Sequence, residues 1–262
     1  MNVIVFDGVT VDDRLTDIYF EVAGGQCLAV LGESSSAIAE IESVLLRRTE
    51  ISAGEIAFDG AVLSSVHGRD LKRVLSAVEV LKSFASLADA RQQLERVNAS
   101  DSKLVVMHEP LRSLGAIEAA EAYVLLRQAV TSSSKAWLLL TSNAMLVHQV
   151  ADRAQVLYLD RVVESGTAAQ VIAHAQHPYT QALISAVPQL DPFAQAERTW
   201  VKLNPGSGRP EGGCAMVDRC PFKHRDCAEF VPELIRDEDG HEVACIYPQE
   251  RKVIVTAVDR KS

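Results

Sequence analysis

Aromatic residues are scarce, at 5% of 262 residues. The apolar content is carried instead by Ala, Val, Leu and Ile, which favours an α/β protein over a β-sandwich. Long apolar runs are also missing. Nothing approaches the roughly 18 consecutive apolar residues of a membrane-spanning helix. The opening MNVIVFDGVTVDD has neither a basic start nor a long apolar centre, so no secretory signal is expected. Positive charge is short: 26 Lys and Arg face 35 Asp and Glu, for a net charge of −9. A broad nucleic-acid-binding surface needs clustered Lys and Arg, and this balance argues against one. No internal repeat and no low-complexity tract occurs. The expectation is a cytosolic protein that reaches a membrane only through partner proteins.

What is present is 48% hydrophobic residues, enough for one large domain or for one domain with a small appendage. Asn2–Phe6, Asp17–Val22, Gly54–Phe58, Leu104–Met107, Ala136–Leu140 and Gln155–Leu159 read as strands. The continuous apolar run Gln26–Leu31 reads as a buried central one. Ile38, Ile41 and Leu45 recur at helical spacing, Leu71–Val97 alternates apolar and charged residues at helical spacing, and Ile117–Val130 and Ala144–Ala151 also read as helices. Arg161–Glu164 followed by Ser165-Gly166 suggests a closing hairpin. Alternation of strands and helices predicts a mostly parallel sheet covered on both faces. After Pro188 the composition changes to loop residues, including Asn204-Pro205-Gly206-Ser207-Gly208. A core over 1–188 and a tail over 189–262 are therefore expected, with the boundary near 188–200.

The run Gln26–Leu31 ends at Gly32-Glu33-Ser34-Ser35-Ser36, before a helix. Strand, loop and helix in this order form the layout of a phosphate-binding loop, in which backbone N–H groups and the helix N-terminus hold the anion. The pattern needed is G-x-x-x-x-G-K-[ST]. Gly32 fills the first place, but Ala37 stands at the second glycine, Ile38 at the lysine and Ala39 at the Mg²⁺-binding hydroxyl. Ile38 carries no charge, Ala39 cannot ligate Mg²⁺, and Ser35 and Ala37 restrict a loop that normally exploits glycine freedom. The residues alone fit either a plain strand–turn–helix or a relic of such a loop.

Five cysteines occur. Cys27 lies in a buried-strand pattern and reads as a small core residue. The others are spaced Cys214-x5-Cys220-x6-Cys227-x17-Cys245. In a reducing cytosol, clustered cysteines read as metal ligands before disulfides. Structural zinc sites use C-x₂₋₄-C pairs, and none occurs here; four thiolates could hold a [4Fe–4S] cluster, a zinc ion or nothing. His224 and His241 read as neighbours of that site or as surface residues.

Several segments, in order, resemble the ATP-binding-cassette (ABC) ATPases of the dipeptide/oligopeptide and nickel importer class. Gly24-Gly25-Gln26-Cys27-Leu28-Ala29-Val30-Leu31-Gly32-Glu33-Ser34 is similar to the approach to Walker A. Ser52–Gly60 (SAGEIAFDG) resembles the strand and turn that follow, and Leu104–Pro110 (LVVMHEP) resembles Walker B. Ala151–Gly166 (ADRAQVLYLDRVVESG) is similar to the family's closing hairpin. His177–Pro188 (HPYTQALISAVP) resembles the segment that marks this importer branch.

The departures matter as much. His108 stands at the Mg²⁺-binding Walker B Asp, while Glu109 keeps the catalytic-base position. Leu111-Arg112-Ser113-Leu114-Gly115 replaces a D-loop ending in Asp. Ser142 stands where a switch histidine should follow Thr141. No LSGGQ occurs, and Ala61–Lys103 is too short for a complete helical subdomain.

The resemblance thus implies a P-loop/ABC-type ATPase fold with a truncated helical subdomain and a small irregular cysteine-rich C-terminal domain. It implies no catalytic residue, only a relic Glu109 with His108 and Ser142 at degenerate positions. Weak or no nucleotide binding is expected at Gly32, Glu33, Ser34, Ser35, Ser36, Ala37, Ile38 and Ala39. The cysteine tail of this branch implies a [4Fe–4S] cluster on Cys214, Cys220, Cys227 and Cys245, with zinc as the alternative. The implied partners are an active ABC ATPase subunit in a heterodimer, two transmembrane permease subunits and, indirectly, a substrate-binding protein, at the cytoplasmic face of the membrane. An adaptor repurposed around the metal site and an ATPase with residual activity are the competing readings.

Overall fold

A computed structural model describes residues 1–33, 37–186, 201–206, 210 and 212–249. The expected boundary near 188–200, the loop residues Ser207 and Gly208, and Ser34, Ser35 and Ser36 of the relic loop lie outside the described residues.

The chain opens with β1 (Asn2–Val11), β2 (Leu15–Ala23) and β3 (Cys27–Gly32), then α1 (Ala37–Leu45), β4 (Ala53–Phe58) and β5 (Ala61–Val62). α2 (Gly68–Ser76), β6 (Val78–Leu81), α3 (Leu87–Ala99), β7 (Leu104–His108), α4 (Ala116–Thr131), β8 (Ala136–Thr141) and α5 (Ala144–Val150) follow. β9 (Arg153–Tyr158), β10 (Arg161–Thr167), α6 (Ala168–Ala173) and α7 (Pro178–Ser185) close the core, and β11 (Ile235–Arg236) and β12 (Glu242–Val243) lie in the tail.

Two sheets form. β2-β1-β4-β5 is antiparallel, while the larger sheet runs β11-β12-β10-β9-β3-β8-β7-β6. In it β9, β3, β8, β7 and β6 are parallel, and β10, β12 and β11 add antiparallel edges. Every residue of β3 and β8 is buried, as expected for parallel strands covered on both faces. Their side chains alternate between two cores. Cys27, Ala29, Leu31, Trp137 and Leu139 face α3, α4, α5 and α6, whereas Leu28, Val30, Leu138 and Leu140 face α1 and the smaller sheet. Cys27 is 1% exposed, in keeping with a core role, and burial pushes its thiol up.

The stretch 71–97 differs from its sequence reading. It is not one helical run, because β6 interrupts it and pairs in parallel with β7, Val78 against Leu104 through Leu81 against Met107. Val78-Glu79-Val80-Leu81 is short and β-branched at alternate places, so a neighbouring strand outweighs the helical pattern of its flanks. Between β5 and β7 stand only a 3₁₀ turn at Leu63–Ser65, α2, β6 and α3. A helical subdomain of the usual kind has no residues to form it.

The tail is stitched to the core. β12 adds to β10 with Glu164 opposite Val243 and Ser165 opposite Glu242.

Candidate functional site

The parallel strands deliver Gly32, His108, Thr141 and their successors to one edge of the sheet. In open α/β sheets, the carboxyl ends of the strands form the binding edge. Gly32 is needed there for space: a Cβ would lie 2.6 Å from the Leu157 carbonyl oxygen. The next helix begins at Ala37, and Ile38 is turned inward at 1% exposure in the same core as Ile41 and Leu140. Its Cδ1 lies 3.3 Å from where that Gly32 Cβ would stand. The position that would present a lysine to a phosphate therefore carries a core side chain.

The Mg²⁺ positions are also closed by internal contacts. His108 Nδ1 lies 3.1 Å from Glu42 Oε2, and Arg48 lies 3.2 Å from the other Glu42 oxygen. The His108 contact holds the Glu42 carboxyl below its usual range. Glu109 sits at φ +44°. Its carboxylate accepts the Thr141 hydroxyl at 3.1 Å and the Ser142 N–H at 2.7 Å. Glu109 thus fastens the end of β8 to the end of β7, and Ser142 offers a backbone donor where a histidine side chain was expected. Ala39 is likewise local in its contacts, its carbonyl accepting the Ser43 hydroxyl at 3.1 Å.

The four tail cysteines are brought together. Cys214, Cys220, Cys227 and Cys245 line one small cavity with Met216, Phe222 and His177. Gly213 makes this possible, with φ +72° and no room for a Cβ, which would meet the Cys227 carbonyl oxygen at 2.6 Å. Cys214 N–H then donates to that carbonyl at 2.8 Å. Each sulfur accepts a backbone N–H: from Met216 to Cys214, Phe222 to Cys220, Tyr247 to Cys245 and His224 to Cys227, the last at 3.5 Å. Burial pushes the thiols of Cys214 and Cys220 up and that of Cys245 to about 11. Among the described residues no group of three or more His, Cys, Asp or Glu is placed to hold a single ion.

The model of the oligopeptide/dipeptide transporter C-terminal region matches residues 163–227. A peptide import ATP-binding protein of Brucella ovis is 28% identical, over 88% of this chain and 91% of the relative. The chain is a divergent relative of the peptide-import ATP-binding proteins. The dipeptide transport ATP-binding protein DppF of Escherichia coli is 34% identical over 55% of this chain and 43% of its own length. Among solved structures, cbiO1 of Clostridium perfringens, part of the ABC transporter complex cbiONQ, superposes with a TM-score of 0.54 at 13% identity, covering 65% of this chain and 90% of that one. That likeness establishes the ABC ATP-binding fold.

The alignment with the Brucella relative is 288 positions long. The relative therefore has stretches with no counterpart here, in keeping with the short span between β5 and β7. Within the oligopeptide-transporter region, His177 caps α7 by accepting the Tyr179 N–H at 3.2 Å, ahead of Pro178 at the first helical position. Burial holds its imidazole down at about 3, so it is neutral. Glu164, fully buried, accepts the Gln176 and His177 N–H groups at 2.7 and 3.0 Å. It also meets His241 Nε2 at 2.9 Å.

His241 is therefore neither at the surface nor at the cysteine cavity, since an unsuspected buried carboxylate on β10 recruits it to join tail and core. His224 is exposed, and its ring packs against Tyr247 with the centroids 4.1 Å apart and the planes tilted by 38°. Sequence reasoning also missed Glu42, Glu164 and Arg219. Only Arg219 carried a signal, its place beside Cys220. No helix among the described residues is long and apolar enough to cross a membrane.

Proposed function

We propose that this chain is a non-catalytic ABC subunit of a membrane peptide importer, which pairs with an active ATPase subunit on the transmembrane permeases. The observation that carries the reading is the replacement of phosphate chemistry by internal contacts, with Ile38 buried in the core, His108 bound to Glu42 and Glu109 bound to Thr141 and Ser142. Phosphoryl transfer depends on positioning and on charge stabilisation by a lysine and Mg²⁺. Neither function has a group left to perform it among the described residues of that edge. Peptides as cargo follow from the named relatives and from the oligopeptide-transporter region. Support for a partner comes from the missing signature motif: a chain that completes neither half of a composite ATP site needs another chain for turnover.

The decisive experiment is purification of the tagged chain from its host membranes in mild detergent, with identification of what accompanies it and an ATPase assay on the isolated chain. A permease pair and an intact ATPase subunit are expected, with no turnover by the chain alone. A complex holding two complete ATPase chains and no copy of this one would sink the reading. Turnover by the isolated chain would favour the residual ATPase instead, and emergence as a lone protein the metal-site adaptor.

The tail fits a [4Fe–4S] cluster held by Cys214, Cys220, Cys227 and Cys245. The support is a cavity lined by the four cysteines, each sulfur with a backbone N–H donor suited to a thiolate. When bound, the cluster supplies a cross-link that closes a segment poor in core of its own. The chain's part is to present the sulfurs, through the Gly213 approach, and to screen them with Met216 and Phe222. Anaerobic purification followed by iron, sulfide and zinc analysis tests this; zinc at one per chain would overturn the cluster.

A further inference from the structure

The C-terminal region reaches back to the entrance of the relic loop. Glu33 is the first residue after β3, and its N–H donates to the Tyr179 hydroxyl at 3.1 Å. Its carboxylate lies 3.5 Å from the Arg219 guanidinium. That guanidinium stands over the Tyr158 ring at 5.8 Å, and the Tyr158 and Tyr179 rings are 4.6 Å apart. A cation above an aromatic face is attracted by the ring quadrupole, so the three side chains brace one another. Arg219 in turn rides on the cysteine turn. The N–H groups of Arg219 and Cys220 both donate to the Met216 carbonyl, at 3.0 and 2.8 Å. Asn204 donates to the Arg219 carbonyl through its backbone and to the Cys220 carbonyl through its side chain. A continuous set of contacts therefore runs from Cys220 to the first amide of the loop.

We infer that Tyr179 and Arg219 form a latch on the loop entrance at Glu33, and that metal in the four-cysteine site fixes the latch by fixing the turn 214–220. The inference rests on the metal-site reading of the tail. Three features favour a latch over chance proximity. Tyr179 is 1% exposed, so its hydroxyl has few partners other than the Glu33 amide. Glu33 is more than half exposed in its side chain, yet the cation it meets comes from a segment 186 residues away in sequence. Gly32 is already pressed against Leu157, so the backbone that delivers the Glu33 amide has little freedom of its own. The device couples the state of the tail to the carboxyl edge of the parallel strands, where the relic loop begins. It requires no nucleotide here.

Hydrogen exchange of the peptide containing Glu33 tests the latch on the full chain. The chain is compared after anaerobic reconstitution with ferrous iron and sulfide and after metal removal by a chelator. Loading is expected to slow exchange at Glu33 about five- to tenfold, the scale of one buried hydrogen bond. Tyr179→Phe is expected to abolish that protection while metal content stays full, and Arg219→Gln to reduce it. Full metal uptake with unchanged exchange at Glu33 overturns the latch and leaves the metal site standing. Unchanged protection in Tyr179→Phe also overturns it. Failure to take up either iron or zinc overturns the metal-site reading and the dependence built on it.

Discussion

Replacing Ile38 by lysine restores, on paper, the residue that the phosphate loop lacks. The structure leads to the opposite expectation. Ile38 is 1% exposed and packed with Ile41, Leu140 and Leu157. Full burial of such a side chain is worth about 1.5–3 kcal/mol. An ammonium left unpaired in that environment costs about 3–5 kcal/mol more. Ile38→Lys should therefore destabilise the chain by about 4.5–8 kcal/mol, a large part of the roughly 5–15 kcal/mol that holds a domain folded. At about 2–4 °C per kcal/mol for a chain of this size, the thermal midpoint should fall by about 10 °C or more. Ile38→Ala separates the two contributions, because it leaves only a cavity and should cost about 2–4 kcal/mol. Urea unfolding of the three proteins, with and without Mg²⁺ and ATP, measures the effect. A lysine variant as stable as the parent, and further stabilised by nucleotide, would refute the argument and reveal a loop still able to cradle phosphate.

Glu109→Ala should cost about 1–2 kcal/mol in urea unfolding, since the Thr141 hydroxyl and Ser142 N–H lose their acceptor. ATP turnover of the purified transporter complex should not change, and a hundredfold fall would show that Glu109 is still a base. Glu42 sets part of the acid limb of stability. Its folded carboxyl is held below its ordinary 4.5, chiefly by His108, so its contribution is full above that value and is lost as pH falls through the lower folded one. Glu42→Gln should flatten the decline below about pH 4.5, with the effect moderated by partial exposure; an unchanged acid limb would contradict the pairing. Glu164→Ala strips the acceptor from two N–H groups and His241, and about 3–5 kcal/mol is expected. Limited proteolysis should then cut the tail before the core, and simultaneous loss of both would argue against a staple. Cys220→Ser should lower bound metal to a minor fraction in elemental analysis.

The sequence by itself determined the fold class and which residues stand at the positions of the phosphate-loop lysine and the Mg²⁺ ligands. Apolar runs such as Gln26–Leu31 and Ala136–Leu140 read as buried strands, because a parallel strand covered on both faces has no solvated side and so shows no alternation. Chemistry depends on which functional groups exist, so Ile38, Ala39 and His108 announce the missing lysine and Mg²⁺ ligands without coordinates. The spacing of the four tail cysteines suggested a shared site. Tertiary structure decided where the replaced residues went. Glu42 meets His108 across 66 positions, Arg219 meets Glu33 across 186, and His241 meets Glu164 across 77. Such pairs follow from how the sheet orders its strands, and that order is set by non-local pairing to which local periodicity is blind. The same blindness hid β6, whose strand form depends on β7 alongside it, and hid β12, whose place on β10 makes the tail part of the sheet.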